Sequence, residues 1–297
     1  MLNWISKSSW LNFITFDIIG DLSFGESFGC LQGGIMHPWV KIMFSSLRDI
    51  VYIAALSHLP KPIFKVVMGI ISYFMIEDLE KDRKFSAQRV HRRLQQGTHR
   101  DDFMSPILRA KGERGMTIPE IEASFNILVV AGKSSFIKWI SKNILTSLGS
   151  ETSATLLSGA LYNLAMHPDV QSKLLSELSS AFKCRNEVNM AALSKLPYLN
   201  AVLEECLRIY PPSAFNQARI VPSQGAIVCG EMVPPGTAVG VATWAASHSK
   251  KNWTEPEKFR PDRWLGEGFP GDDRRSMQPF ILGPRSCIGK KYITRLK

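Results

Sequence analysis

Near its C-terminal end the chain runs Phe280-Ile281-Leu282-Gly283-Pro284-Arg285-Ser286-Cys287-Ile288-Gly289, a short loop that sets one cysteine beside an arginine and between two glycines. Cysteine binds a metal as the thiolate, and a nearby guanidinium together with the metal's own charge lowers its pKa. Gly283 and Gly289 let the backbone turn tightly and lie flat against a macrocycle, where a side chain would collide. The string therefore suits a thiolate bound to haem iron. The competing reading of Cys287 is a buried structural thiol, the usual state of a lone cysteine.

Upstream, Glu205-Cys206-Leu207-Arg208 lies in a segment from Tyr198 to Tyr210. Its apolar residues Leu199, Val202, Leu203, Cys206, Leu207 and Ile209 recur at helical spacing, which makes Glu205 and Arg208 neighbours on one face. Alone, such a pair is a solvated ion pair worth roughly a few tenths of a kcal/mol. Tyr210-Pro211-Pro212 then stops the helix. Lys258-Phe259-Arg260-Pro261-Asp262-Arg263-Trp264 follows, ahead of the cysteine loop.

The order Glu-x-x-Arg, Pro-x-Arg-aromatic, Phe-x-x-Gly-x-Arg-x-Cys-x-Gly resembles the cytochrome P-450 family in its fungal microsomal type, with all five fixed positions of the last string matched. The resemblance implies a mainly α fold, a helical haem domain with a small β-sheet region, here incomplete. It implies haem b as cofactor, Cys287 as axial ligand, and Phe280, Gly283, Arg285 and Gly289 as the loop around it. Glu205, Arg208 and Arg263 would form a buried charge triad, where bidentate guanidinium pairing explains arginine rather than lysine. Arg285, and less strongly Arg219, would meet haem propionates; Arg219 reads equally well as a surface arginine. The implied reaction inserts one oxygen atom of dioxygen into a small lipophilic substrate, a terpenoid or polyketide of secondary metabolism by family habit. Electrons would come from NADPH through NADPH-cytochrome P-450 reductase. A monomer on the cytosolic face of the endoplasmic reticulum membrane is expected.

Elements must position these groups. Between Arg219 and Val241, apolar and β-branched residues broken by Gly225, Gly230 and Pro234-Pro235-Gly236 predict short strands. The stretch Asn12 to Gly25 resembles a mid-domain helix of the family, with Leu11, Phe13, Ile14, Phe16 and Ile18 as its buried face. Arg100-Asp101-Asp102-Phe103 onward resembles the approach to the family's central helix, which Thr117-Ile118-Pro119-Glu120 would cap and start.

That central helix departs from the pattern. Val129-Val130-Ala131-Gly132 begins the expected motif and Ser150-Glu151-Thr152 ends it, with 17 residues, Lys133 to Gly149, in between. In one alignment Lys133-Ser134-Ser135 follows Gly132 and keeps a hydroxyl without an acid. In the other, which the chemistry favours, Gly149-Ser150-Glu151-Thr152 supplies glycine, acid and alcohol in register, and Glu151 and Thr152 become the proton-relaying pair. Continuous helix through the insertion leaves the downstream face roughly 100° out of register. Removing it joins Gly132 to Ser150 without a gap, which raises the hypothesis that residues 133–149 are a translated intron.

With 297 residues and 45% hydrophobic content the chain buries a sizeable core, read as one partial catalytic domain over 1–297. The net charge of +10 is spread out, apart from a cluster at Lys81, Arg83, Lys84, Arg89, His91, Arg92 and Arg93 that reads as a solvated helix face. In the family's context such a basic surface can receive an acidic electron donor. Neither zinc-finger spacing nor aromatic-basic interleaving favours nucleic acid. Five scattered cysteines without Cys-x-x-Cys pairs fit free thiols. The apolar stretches Ile50 to Leu59 and Val66 to Ile76 fall short of the ~20 residues a membrane span needs. They resemble the family's pocket-roofing helices that touch the membrane surface, and read equally well as core helices. The N-terminal anchor of microsomal members is expected to be absent. Two other function classes stay open: a non-catalytic truncated or mis-spliced haem-binding remnant, and a structural helical protein with a fortuitous cysteine loop.

Overall fold

The computed structural model describes residues 4–38, 56, 59–97, 102–109, 115–122, 149–214, 218–266, 269–283, 286–287 and 290. The chain divides into two compact units, Met1–Ala154 and Thr155–Lys297.

In the first unit, α1 (Trp4–Phe24) buries Phe13, Phe16, Ile19 and Phe24. Of the expected face, Phe13 and Phe16 are buried and Leu11 and Ile14 half-buried, but Ile18 is 39% exposed and Ile19 takes its place in the core. Apolar residues occur all round this helix, so periodicity leaves its phase open. Packing against Phe28, Cys30, Val90 and Met104 fixes it. The Asp17 carboxylate accepts from the Cys30 and Leu31 amides at 3.0 and 2.9 Å, and so caps the short α2 (Cys30–Gly33). Gly20 faces the Phe28 ring so closely that a Cβ would lie 2.8 Å from it. Gly25 ends α1 at a φ of +74°.

The long α3 (Lys61–Gln95) starts after Pro60, with Pro62 in its first turn. Val66 to Ile76 is thus one part of a 35-residue helix rather than an element of its own. Of Ile50 to Leu59, only residues 56 and 59 are described. Among the described residues no helix is long and apolar enough to cross a membrane.

The basic cluster is not one solvated face. Arg93 is fully buried, its Nε and Nη2 forking onto the Asp102 carboxylate at 2.6 and 3.0 Å. Arg89 is 7% exposed, stacks over Phe28 at 4.4 Å and pairs with Glu26 at 3.4 Å. Lys84, His91 and Arg92 remain on the surface, and the side chains of Lys81 and Arg83 lie outside the description. Asp102 also accepts from the Met104 and Ser105 amides, which starts α4 (Ser105–Arg109). Glu120 accepts from both the amide and the hydroxyl of Thr117 at 2.8 Å, half of a capping box for the helical residues 118–122.

The division between the units falls within α5 (Gly149–Met166). The second unit continues with α6 (Pro168–Ala181), α7 (Met190–Leu193) and α8 (Pro197–Ile209). Glu177 of α6 accepts from the Tyr198 and Leu199 amides at 2.8 Å, and so caps the exposed donors at the start of α8. The buried side of α8, including Val202, Cys206 and Leu207, joins Leu156, Ala160, Leu174, Trp253 and Phe259 in one core.

The predicted strands form two antiparallel ribbons. β1 (Arg219–Ile220) pairs with β4 (Ala238–Val239), and β2 (Ala226–Val228) with β3 (Glu231–Val233). Cys229 and Gly230, both at positive φ (52° and 89°), make the tight β2–β3 turn. After α9 (Thr243–His248), single turns at Pro261–Trp264 and Arg274–Ser276 lead to the cysteine loop.

Candidate functional site

The last turns of α8 carry Glu205 and Arg208 at i,i+3, as the periodicity requires, and both are fully buried. Arg208 forks onto Glu205 through Nε and Nη2 at 2.9 and 2.8 Å. Its remaining donors reach the carbonyls of Ser247, Pro256 and Lys258 at 2.8, 2.7 and 3.2 Å. A lysine has three donors on one point and could not span this set. The turn at Pro261–Trp264 brings Arg263, also fully buried, to Glu205 Oε1 at 3.0 Å. Trp253 lies beside both guanidinium groups, 5.3 Å from Arg208 and 5.8 Å from Arg263.

Three participants were invisible to motif reading. Trp264 Nε1 donates to Glu205 Oε2 at 2.9 Å, and the Arg260 amide donates to Oε1 at the same distance. Pattern matching registers Trp264 only as an aromatic, whereas its indole N–H is a functional part of the centre. Asp272, within the polar run Gly271-Asp272-Asp273-Arg274-Arg275, pairs with Arg263. Nothing in such a run separates a buried carboxylate from a surface one.

In the cysteine loop, Cys287 is half-buried and its amide donates to the Phe280 carbonyl at 2.8 Å, which closes the loop on itself. Gly283 sits at a φ of +84°, and among the described residues nothing lies within 4 Å of where a Cβ would stand. Arg285 and Gly289 lie outside the described residues. Arg219, at the start of β1, has its Nη2 shut off from solvent and without a hydrogen-bond partner among the described residues. A buried guanidinium nitrogen with no acceptor is costly unless an anion meets it. A half-buried thiol, a loop open above glycine and a half-buried arginine whose buried Nη2 lacks an acceptor among the described residues together fit haem b.

Thr152 lies half-buried in the first turn of α5, and Glu151 precedes it there, its side chain outside the description. Residues 133–148 are likewise outside it. A cavity of about 470 Å³ lined by Gly159, Tyr162, Tyr210, Trp244, His248 and Glu257 among others includes neither Cys287 nor Arg219.

Among known proteins, the chain is 40% identical over 282 residues to the cytochrome P450 monooxygenase aclL of Aspergillus oryzae, covering 95% of this chain and 54% of that protein. It is 40% identical over 289 residues to the cytochrome P450 monooxygenase astA of Talaromyces wortmannii (96% and 55% covered). It is 37% identical over 287 residues to averantin hydroxylase of Dothistroma septosporum (95% and 50%). The chain thus spans about half the length of the curated relatives it matches. The crystal structure of the cytochrome P450DA heme domain shares the fold with a TM-score of 0.75 at 20% identity, over 97% of this chain and 58% of that one. The sequence model described as Cytochrome P450 matches residues 4–292, the span that holds both the buried Glu205–Arg208–Arg263 centre and the Cys287 loop. On this agreement of sequence and fold, the chain belongs to the cytochrome P450 family.

Proposed function

We propose that this chain carries the ligand-bearing part of a haem-thiolate monooxygenase that inserts one oxygen atom of dioxygen into a small lipophilic substrate. The observation that carries the reading is the closed loop in which Phe280 holds the Cys287 amide at 2.8 Å and leaves the thiol half-buried. Bound haem supplies one-electron and dioxygen chemistry that no side chain can perform, tuned by thiolate donation.

The chain's own residues do the rest. Phe280, Gly283 and Gly289 would shape the loop that presents Cys287 Sγ to the haem iron. Arg219 and Arg285 hold the propionates; the orphaned Nη2 of Arg219 supports the first of these. Glu205, Arg208 and Arg263 lock the segments on either side of the loop's approach, so that the thiolate stays at a fixed height. Glu151 and Thr152, in the first turn of α5, would be the acid and alcohol that hold and relay protons. Electrons arrive from NADPH through NADPH-cytochrome P-450 reductase, with the protein a monomer on the cytosolic face of the endoplasmic reticulum and in contact with its membrane. The substrate is a terpenoid or polyketide intermediate of fungal secondary metabolism, in keeping with relatives of which one is named for a hydroxylation.

The test is the spectrum of reduced, haem-loaded protein under carbon monoxide. A strongly red-shifted Soret band that disappears in Cys287→Ser supports the reading; a band typical of a histidine or detached thiol ligand overturns it. The separation of Gly132 from Ser150 by the 17 residues of 133–149 favours one second reading, a haem-binding polypeptide that does not turn over. That reading predicts the red-shifted band without product when reductase, NADPH and substrate are supplied.

A further inference from the structure

We propose that Asp272 is the fourth member of the buried charge centre and a positioning residue for the segment that carries Cys287. Glu205, Arg208 and Arg263 alone hold one carboxylate against two guanidinium groups, a net positive charge with side chains 0% exposed. Shut away from water, such an excess is strongly unfavourable. Asp272 removes it. Its carboxylate is 1% exposed, accepts from Arg263 Nη1 through Oδ2 and from the Thr254 amide through Oδ1 at 2.7 Å. The four charges then sum to zero, and both carboxylates are hydrogen-bonded on both oxygens.

The same residue sits where the chain turns toward the thiol. Next to it, the Asp273 amide donates to the Asn252 carbonyl at 2.8 Å, and Arg274 reaches the Arg263 carbonyl. Beyond the turn at Arg274–Ser276, Met277 enters the core and Phe280 supplies the carbonyl that holds Cys287. Asp272 thus ties the start of this run to Arg263, and the run ends on the ligand loop. Asp273 makes the contrast: its side chain is 43% exposed and it pairs with Arg275, which is 90% exposed. Two adjacent aspartates therefore have different jobs.

The proposal deepens the reading of Cys287 as a ligand, but its test uses the full chain and needs no haem, so the two fail separately. Asp272→Asn keeps an acceptor for Thr254 and removes the charge. Its unfolding constant in urea rises by about tenfold or more, that of Asp273→Asn does not, and in an Arg263→Met background the Asp272→Asn effect largely vanishes. Asp272→Glu restores part of the loss. For positioning, alkylation of Cys287 accelerates in Asp272→Asn under conditions where Cys206, fully buried in the same core, stays protected. An Asp272→Asn effect that is equal in both backgrounds, or absent, overturns the charge assignment. Cys287 and Cys206 becoming reactive together, or neither changing, overturns the positioning role.

Discussion

Trp264 Nε1 donates to Glu205 Oε2 at 2.9 Å, so the carboxylate that receives two guanidinium groups and the Arg260 amide is also closed by an indole. The cost of breaking this centre depends on what is left behind. Glu205→Gln leaves Arg208 and Arg263 buried without their shared anion and should cost about 3–5 kcal/mol. Trp264→Phe keeps the ring near Trp253, 5.7 Å away, and loses one hydrogen bond to a charged group, about 1.5–3 kcal/mol. Urea unfolding of the two variants should rank them in that order.

The Arg93–Asp102 pair makes the first unit acid-sensitive. Burial pushes the Asp102 carboxyl up, but hydrogen bonds from Arg93 and Ser105 outweigh it and hold the group below its ordinary 3.8. The unfolded chain therefore takes up the proton first. The stability that the carboxylate confers is full above that ordinary value and is lost as pH falls through the lower folded value. Asp102→Asn should be less stable at neutral pH by about 3–5 kcal/mol, because Arg93 stays buried and unpaired. It should also show a shallower loss of stability as pH falls from neutral through and below the ordinary carboxylate value. Urea midpoints measured across that range check both parts.

What the sequence made legible follows from how local each signal is. The helix carrying Glu205 and Arg208 was readable because its polar pair and apolar stripe have fixed spacing, and the strands because Gly225, Gly230 and Pro234 punctuate them. Arg93 was misread because a charge is judged by its neighbours in sequence, whereas its partner Asp102 stands beyond the end of α3. Ile18 and Ile19 exchanged places because an apolar helix does not declare which side meets Phe28 and Val90. Asp272 was missed for the converse reason, since a carboxylate in a polar run looks solvated until the turn delivering Arg263 is known. The orphaned nitrogen of Arg219 has no sequence signal at all.

Two glycines that look alike in sequence should respond differently to alanine. At Gly20 a Cβ would lie 2.8 Å from the ring of Phe28, which is 6% exposed and packed among Phe24, Val90 and their neighbours. At Gly159 a Cβ would meet Cδ1 of Tyr210 at the same 2.8 Å, but Tyr210 is 48% exposed, so its ring has solvent on one side to turn into. Gly20→Ala should cost about 1–3 kcal/mol by overpacking. Gly159→Ala should be near neutral or gain up to about 1 kcal/mol from helix propensity. Thermal unfolding of the pair decides the matter.

Cysteine chemistry should sort the five thiols by burial. Cys206 is pushed up to about 12, chiefly by burial and also by the charge of Glu205, and Cys30 is raised by burial as well. Cys184 and Cys229 are exposed. Iodoacetamide under native conditions at mildly alkaline pH should therefore modify Cys184 and Cys229 first and leave Cys30 and Cys206 untouched until unfolding. Cys287, half-buried, should react at an intermediate rate. Haem should protect it, and peptide mapping by mass spectrometry reads each site.

The insertion offers the last test, and its two ends give it a definite outcome. α5 starts at Gly149, and excision of Lys133 to Gly149 replaces that residue by Gly132, so the helix keeps a glycine at its first position and Glu151-Thr152 keep their places in its first turn. The upstream face changes, because helix continued through 17 residues is turned by roughly 100° relative to the excised form. If residues 133–149 are a translated intron, the mature message lacks their coding length, and the excised protein retains more haem per chain than the protein of 297 residues. An abundant message containing the insertion, together with equal haem retention by the two proteins, would remove the intron reading and make the segment a genuine element of this P450.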